Sequence, residues 1–186
     1  MLFETCFKLP QLDAHTPTET VYLLQYSTWG HHSLGFYRDK ELIEFTYGDW
    51  DLFALDKREL LTAISHMIWP TLGALGRKAI KWSPDEAATP LFTDCINIVP
   101  FPVNAEKAEA LFQMLSSEFQ SSIADQVYHE ADQVYFVPYH SSYALWNNCN
   151  HELAKWLMAL GGQVSGRVFW NPDFIKGMQP RLPAIP

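Results

Sequence analysis

Residues 146–162 have the sequence WNNCNHELAKWLMALGG, which predicts a helix that begins at a cysteine. Its apolar residues recur with the spacing of a helix that has one face in a protein core: Leu153, Trp156, Leu157 and Leu160. Two glycines at 161–162 then supply the left-handed backbone that commonly ends a helix. Counting back one turn from Leu153 puts the thiol of Cys149 on the buried face, in the first turn.

The polar residues that precede this helix can cap it. Asn148 and Asn150 each carry a side-chain oxygen that can accept the free N–H groups of the first turn. The N-terminal end of a helix also carries partial positive charge, which favours a thiolate over a thiol. Cys149 is therefore predicted to be a nucleophile with a lowered pKa, and the alternative is an inert buried thiol. His151 points elsewhere on the helix and is predicted to be a surface or capping residue.

The composition predicts one ordered globular domain. The chain has 186 residues, of which 48% are hydrophobic and 15% aromatic, and this is enough for a full core. We expect a single domain over residues 1–186, with its core at about 20–176 and a loose proline-rich tail at 177–186. The formal net charge of −8 gives no electrostatic support for a nucleic-acid partner or an anionic membrane surface.

Cysteine usage and apolar runs indicate where the protein works. No apolar run approaches the ~20 residues that span a bilayer, and the start MLFETCFKLP has neither the basic region nor the apolar core of a signal peptide. Cys6, Cys95 and Cys149 are widely spaced and form no CxxC pair, which disfavours a zinc or thioredoxin site. We therefore expect a cytoplasmic protein with free thiols, no bound metal and no cofactor.

The order of the remaining elements predicts an α+β fold with a mainly antiparallel sheet packed against helices. β-Branched and aromatic runs predict strands at 20–26, 31–37, 42–47, 95–99 and 133–137. Caps and helical periodicity predict helices at 56–68 and from about 104 to 119, before the cysteine helix. The glycine-containing segment TLGALGRK at 71–78 is predicted to be a loop.

A cysteine nucleophile needs a base that touches it, and strand alternation selects one among seven histidines. On the 31–37 strand, His32 shares a face with the apolar residues Leu34 and Phe36. A helix would pack on that face, so we expect His32 to face Cys149, with His31 as the alternate.

The next strand offers a carboxylate that can orient the base. If residues 39–40 form a two-residue turn, His32 lies opposite Tyr47, and Asp49 lies on the diagonal within reach. Such a carboxylate would hold the imidazole and stabilise its charged form. Glu44 is the alternate, although its phase puts it on the opposite face, and a one-residue slip of register would swap the two. Trp29, Trp50, Tyr143 and Trp146 are close in sequence to these residues and are predicted to line a substrate cleft.

The strand HSLGF at 32–36 and the segment NCNH at 148–151 resemble the two halves of a circularly permuted papain-like site. That superfamily includes permuted NlpC-type peptidases and lecithin:retinol acyltransferase-like proteins. The chain more closely resembles a family of uncharacterised bacterial proteins in that group, over about residues 21–170. Three segments carry this resemblance: VYLLQYSTWGHHS at 21–33, YGDW at 47–50 and YALWNNCNHELAKWLMALGG at 143–162.

The resemblance implies a permuted papain-like (NlpC-type) fold and a thiol nucleophile with a histidine base. The expected activity is that of a hydrolase (a thiol protease or amidase) or an acyltransferase, acting on an amide, thioester or ester of a small-molecule, peptide or lipid acyl substrate. The acyltransferase-like members carry a second histidine where this chain has Glu44. The alternative function is a catalytically inactive module that binds a ligand or a protein. A metal site made of His31, His32 and Asp49 is a third, weaker hypothesis.

Overall fold

The computed structural model describes residues 6–26, 31–57, 69–83 and 95–166, together with Phe174. The strands are β1 (Cys6–Lys8), β2 (Thr18–Tyr26), β3 (His32–Arg38), β4 (Glu41–Asp49), β5 (Thr71–Lys81), β6 (Cys95–Asn104), β7 (Val127–His129), β8 (Val134–Tyr143) and β9 (Gln163–Ser165). The helices are a π-helix (Trp50–Ala54), α1 (Ala105–Ser121), a 3₁₀ helix (Ile123–Asp125) and α2 (Cys149–Ala159).

Seven of the described strands form one sheet in the order β6-β2-β3-β4-β5-β8-β7, in which every neighbouring pair is antiparallel. The short strands β1 and β9 pair separately. The predicted α+β class with a mainly antiparallel sheet is therefore confirmed. Within the described part of the chain, neither α-helix is long and apolar enough to cross a bilayer.

The hairpin of β3 and β4 has the predicted two-residue turn. Asp39 and Lys40 have φ angles of 50° and 68°, the left-handed pair that a type I′ turn requires. The register is Arg38 opposite Glu41 and Leu34 opposite Phe45. The ladder ends at Leu34 and Phe45, and its register continued by two further pairs puts His32 opposite Tyr47, the position that the sequence predicts.

The two faces of this sheet have different partners. We call inner the face on which α1 and α2 pack, and outer the opposite face. Inner residues of β3 and β4 join the helices in the main core: Leu34, Phe36, Ile43, Phe45 and Tyr47 from the sheet, with Leu153, Trp156, Leu157 and Leu160 from α2. The outer face carries a separate apolar cluster: Tyr22, Leu24, Leu42, Ile80 and Trp82. Alternation along each strand therefore decides which side a residue serves.

Segment 71–78, predicted to be a loop, is instead part of the central strand β5. The glycines that indicated a loop are places where other groups come close to the backbone. At Gly73 an added Cβ would lie 2.1 Å from the carbonyl oxygen of Ser141 and 2.8 Å from the ring of Tyr47. The loop prediction was wrong because glycine in a strand and glycine in a turn look alike in sequence.

Other boundaries differ from the predictions in smaller ways. β6 continues to Asn104 through Pro100 and Pro102, which is tolerated because β6 is an edge strand. β8 extends past 137 to Tyr143. Two predicted segments lie outside the described residues: positions 58–68 of the helix predicted at 56–68, and the tail predicted at 177–186.

Candidate active site

The helix that carries the cysteine is capped as the sequence predicts. Asn148 Oδ1 accepts hydrogen bonds from the backbone N–H groups of Asn150 (3.1 Å) and His151 (3.3 Å). In return, the N–H of Asn148 donates to Nδ1 of His151 at 3.4 Å, which completes a reciprocal capping box. His151 is therefore the predicted capping residue, and Cys149 is the first residue of α2.

Cys149 is half-buried and packs against the main core. Burial raises the pKa of its thiol to about 11, although the backbone amides of Asn150 and Cys149 and the hydroxyl of Tyr143 act in the opposite direction. The predicted lowering of the pKa was wrong for this state of the protein. The reason is that loss of solvation outweighs the partial charge of the helix end and its nearby donors.

One tyrosine lies beside the thiol and packs with two others. Tyr143 hydrogen-bonds to Cys149, and the pKa of Tyr143 is raised first by burial and then by the thiol. The ring of Tyr47 lies 5.8 Å from that of Tyr143 and 5.6 Å from that of Tyr139. The hydroxyl of Tyr47 donates to the carbonyl oxygen of Ser141 at 3.0 Å. The thiol thus lies against a layer of aromatic rings whose hydroxyl groups are directed to specific partners.

His32 lies on the inner face, as predicted. It is 4% exposed, and its ring packs edge-on against the ring of Phe174, with centroids 5.5 Å apart. The hairpin register makes it the cross-strand neighbour of Tyr47, whose ring contacts Tyr143. His32 and Cys149 are therefore on the same side of the sheet. Tyr47 lies between their surroundings, because it is opposite His32 and its ring contacts Tyr143, the neighbour of the thiol.

Asp49 is fully buried and performs a structural task in this arrangement. Its Oδ1 accepts from the backbone N–H of Leu52 at 2.8 Å and caps the π-helix, while its Oδ2 accepts from the hydroxyl of Thr71. Asp49 therefore joins the end of β4 to the start of β5. Its action as the orienting carboxylate for His32 stays a prediction.

The alternates His31 and Glu44 lie on the outer face. Glu44 Oε1 accepts from the hydroxyls of Tyr26 and Ser33, each at 2.6 Å, and His31 Nε2 hydrogen-bonds to Thr46 Oγ1. The sheet separates these residues from Cys149, because alternate residues of a strand point to opposite faces.

The same separation affects the metal hypothesis. His31 and His32 point to opposite sides of the sheet, so they do not converge on one ion. Among the described residues, no group of three histidine, cysteine or acidic side chains is placed to hold a metal.

The four predicted cleft aromatics occupy different places. Tyr143 contacts the thiol, and Trp146 is 61% exposed in the turn just before α2. Trp50 packs instead against a cluster on the outer side of the sheet, formed with Ala54, Ala74, Val134 and Phe136. Trp29 lies outside the described residues. Two of the four therefore lie at or near Cys149.

One residue of this site was missed from the sequence, and so were the contacts of another. Thr71, which binds Asp49, was placed in a loop because of the glycines that follow it. Tyr47 was placed opposite His32, but its contacts with Tyr139 and Tyr143 depend on the pairing of β5 with both β4 and β8. The β-branched start of β5 was the available signal for Thr71, and the distant pairing that places Tyr47 leaves no local pattern.

The chain matches no protein-family model, no curated protein and no solved structure. The resemblance to permuted papain-like proteins therefore depends on the quoted motifs alone. A fold by itself does not define an activity, so the function depends on the side chains of the site.

Proposed function

We propose that this protein is a cysteine-dependent hydrolase or acyltransferase of the permuted papain-like type, with Cys149 as the nucleophile and His32 as its base. One observation carries the proposal: Cys149 begins a capped helix that packs on the sheet face bearing His32. The backbone amides at the start of α2 and the hydroxyl of Tyr143 supply hydrogen-bond donors beside the sulfur. Donors in that place suit an oxyanion as well as a thiolate.

The proposed reaction is acyl transfer through a thioester. Sγ of Cys149 attacks the carbonyl carbon of the acyl donor, and the thiol proton passes to the imidazole of His32. The C–S bond forms, the bond to the leaving group breaks, and the imidazolium returns the proton to that group. Water or an acceptor alcohol or amine then attacks the thioester with His32 again as the base, which releases the thiol.

The raised pKa of Cys149 restricts how this reaction begins. A thiol with a pKa of about 11 is protonated at neutral pH, so the resting protein does not hold a thiolate. Deprotonation must therefore accompany the attack, as it does for a serine activated by histidine. An ester or thioester donor suits this mechanism better than an amide, because its leaving group needs less protonation.

The test is acylation of Cys149 by p-nitrophenyl acetate, followed by intact mass and peptide mapping. We expect an acetyl group on Cys149 in the parent protein, and a rate lower by about 100-fold in His32→Ala, which removes the general base. His140→Ala is the matched control, because His140 is an exposed histidine that pairs with Glu118. Cys95→Ser removes the other described free thiol and should leave the labelling unchanged.

Alkylation by iodoacetamide measures the resting thiol independently. We expect slow labelling of Cys149 at neutral pH and a rise only towards pH 11. Acetylation of Cys149 at the same rate in His32→Ala and in the parent would contradict the proposal. Absence of acetylation with this ester and with acyl thioesters would also contradict it.

A second candidate function, a non-catalytic binding module of the same fold, is favoured by two observations. The thiol has a raised pKa, and both carboxylate oxygens of Asp49 are engaged by Leu52 and Thr71. This function requires a cleft that binds its ligand equally well after Cys149→Ala. Acyl enzyme formation distinguishes the two, since a binding module forms none. A cytoplasmic location belongs to both proposals.

A further inference from the structure

Glu44 on the outer face has an unsatisfied carboxyl oxygen in a buried position. The side chain is 3% exposed, and its Oε1 accepts two hydroxyl hydrogen bonds, from Tyr26 and Ser33. Its Oε2 is buried and has no hydrogen-bond partner among the described residues. A buried carboxyl oxygen left in this way costs stability, and such groups in native proteins call for an explanation.

The neighbours of Glu44 form a polar cluster between two apolar ones. We call Tyr26, His31, Ser33, Glu44 and Thr46 the outer polar cluster. On one side of it lies the cluster that contains Leu24, Leu42 and Trp82, and on the other the cluster that contains Phe53 and Phe136. Enclosing a carboxyl group among apolar residues costs free energy unless each of its oxygens has a hydrogen-bond partner.

Aromatic rings and an unusual helix border the outer polar cluster. The ring of His31 lies 6.2 Å from that of Tyr26 and 5.7 Å from that of Phe53. Phe53 belongs to the π-helix, a conformation that occurs frequently at functional sites. Tyr26, His31 and Phe53 are half-buried whereas Glu44 is buried, so these rings are the part of the site that solvent reaches.

The chemistry of the cluster selects one class of ligand. A buried carboxylate is stabilised by a positive charge that also donates a hydrogen bond, and aromatic rings beside it favour an organic cation over a hydrated one. Lys78, on the neighbouring strand, lies opposite Glu44, but its Nζ donates to the carbonyl oxygen of Asp132 at 3.1 Å. The protein therefore holds this ammonium group of its own at another acceptor.

We propose that the outer polar cluster is a binding site for a small organic ammonium ion, which donates an N–H to Oε2 of Glu44 beside the rings of Tyr26 and His31. The site lies on the opposite face of the sheet from Cys149, so this inference does not depend on the acyl-transfer function.

Binding should be linked to a proton. Burial raises the pKa of Glu44 despite the hydroxyls of Ser33 and Tyr26, and Lys78 lowers it while Asp132 raises it. The other titratable groups facing it are His31, which burial keeps neutral, and the half-buried thiol of Cys95. A bound ammonium ion would stabilise the carboxylate and lower this pKa again, so that ammonium and protons compete for Glu44.

The test is isothermal titration calorimetry of the full chain with methylammonium chloride, in two buffers that differ in ionisation enthalpy. We expect an affinity that falls as the pH is lowered, because protons and ammonium compete for Glu44, and proton release in the pH range over which the affinity falls. Tetramethylammonium chloride carries the same charge but has no N–H donor, and should bind about tenfold more weakly. Potassium chloride at equal ionic strength is the blank.

Glu44→Gln keeps the shape of the side chain and removes its charge, so we expect at least about a tenfold loss of affinity for methylammonium. The matched control is Glu118→Gln, which alters an exposed carboxylate that pairs with His140 and should bind as the parent does. Equal binding by Glu44→Gln would overturn the proposal, as would heats for methylammonium no larger than those for potassium chloride. If Glu44→Gln fails to fold, the pH dependence of the parent protein decides, and an affinity that does not fall as the pH is lowered overturns the proposal.

Discussion

Buried carboxyl groups lie on both the inner and the outer side of the sheet, but they differ in how many of their oxygens have hydrogen-bond partners. On the inner face both oxygens of Asp49 accept hydrogen bonds from the protein, and Glu152 likewise accepts from Tyr139 (3.3 Å) and Lys155 (2.7 Å). On the outer face Glu44 uses one oxygen twice and leaves the other without a partner among the described residues.

The polar residues of the two faces therefore have different roles. On the inner side the carboxylates hold strands and helix starts in place around a thiol, so their loss should cost stability. On the outer side one oxygen of Glu44 has no hydrogen-bond partner among the described residues. Replacing Glu44 should therefore change ligand binding and its pH dependence more than the free energy of unfolding. The predictions below test that division, beginning with the largest expected effect.

Asp49→Ala should destabilise the protein by about 4 kcal/mol, because it removes two hydrogen bonds to a buried charged group and leaves the Leu52 amide and the Thr71 hydroxyl unsatisfied. Urea denaturation followed by tryptophan fluorescence measures this change. Asp51→Ala is the control, since that carboxylate forms a surface ion pair with Lys57 and should matter by less than about 0.5 kcal/mol. Normal stability of Asp49→Ala, together with loss of acylation at Cys149, would contradict a structural role for Asp49.

Gly73→Ala and Gly48→Ala compare steric crowding on the two faces. A Cβ at Gly73 would meet the backbone oxygen of Ser141 at 2.1 Å, and this oxygen lies at the β5–β8 bulge, where it accepts a hydrogen bond from the hydroxyl of Tyr47 at 3.0 Å. A Cβ at Gly48 would meet the ring of Phe53 at 2.5 Å, and this half-buried ring can move outward. We expect costs of about 3 kcal/mol for Gly73→Ala and about 1 kcal/mol for Gly48→Ala, measured by urea denaturation. Equal costs would show that the outer aromatic layer is as rigid as the inner sheet.

The parts of the fold that could be predicted are those that local chemistry encodes. The periodicity from Leu153 onward, the cap at Asn148 and the turn at residues 39–40 each depend on a few neighbouring residues, and all three predictions are confirmed. Register followed from the turn, so the inner placement of His32 and the outer placement of Glu44 were also predictable. Segment 71–78 was not, because its strand pairs with β4 and β8, which are distant in sequence.

The candidate site was predictable as a set of residues but not as an electrostatic environment. The helix start favoured a low pKa for Cys149, whereas the depth at which the thiol lies raises that pKa to about 11. The burial of the thiol depends on the packing of Tyr143, beside it, against Tyr47, and no local sequence pattern contains that information. The same holds for Asp49, whose bond to Thr71 joins residues that are far apart in the chain.

His31 should make stability depend on pH. Burial lowers its pKa from the ordinary 6.5 to about 4, first through loss of solvation and then through His32, so the folded protein resists a proton that the unfolded chain accepts. The contribution is present above pH 6.5 and is lost as the pH falls towards 4, by about 2 kcal/mol between about pH 7 and about pH 5. Urea denaturation across this range should give a flatter profile for His31→Gln, whereas the exposed His140→Gln should follow the parent. An unchanged profile in His31→Gln would mean that another group accounts for the pH response.

The two asparagine caps give the smallest and most specific test of the inner face. Asn148 caps α2 at Cys149, while Asn104 caps α1 by accepting from the N–H of Lys107 at 3.0 Å, far from any thiol of the site. Either Asn→Ala change should cost about 1 kcal/mol in urea denaturation. The rate of iodoacetamide alkylation at Cys149 should change in Asn148→Ala alone, because only that cap fixes the amides beside the sulfur. A similar change of rate in Asn104→Ala would mean that alkylation reports general loosening of the fold, and the thiol would then have no locally built environment to explain.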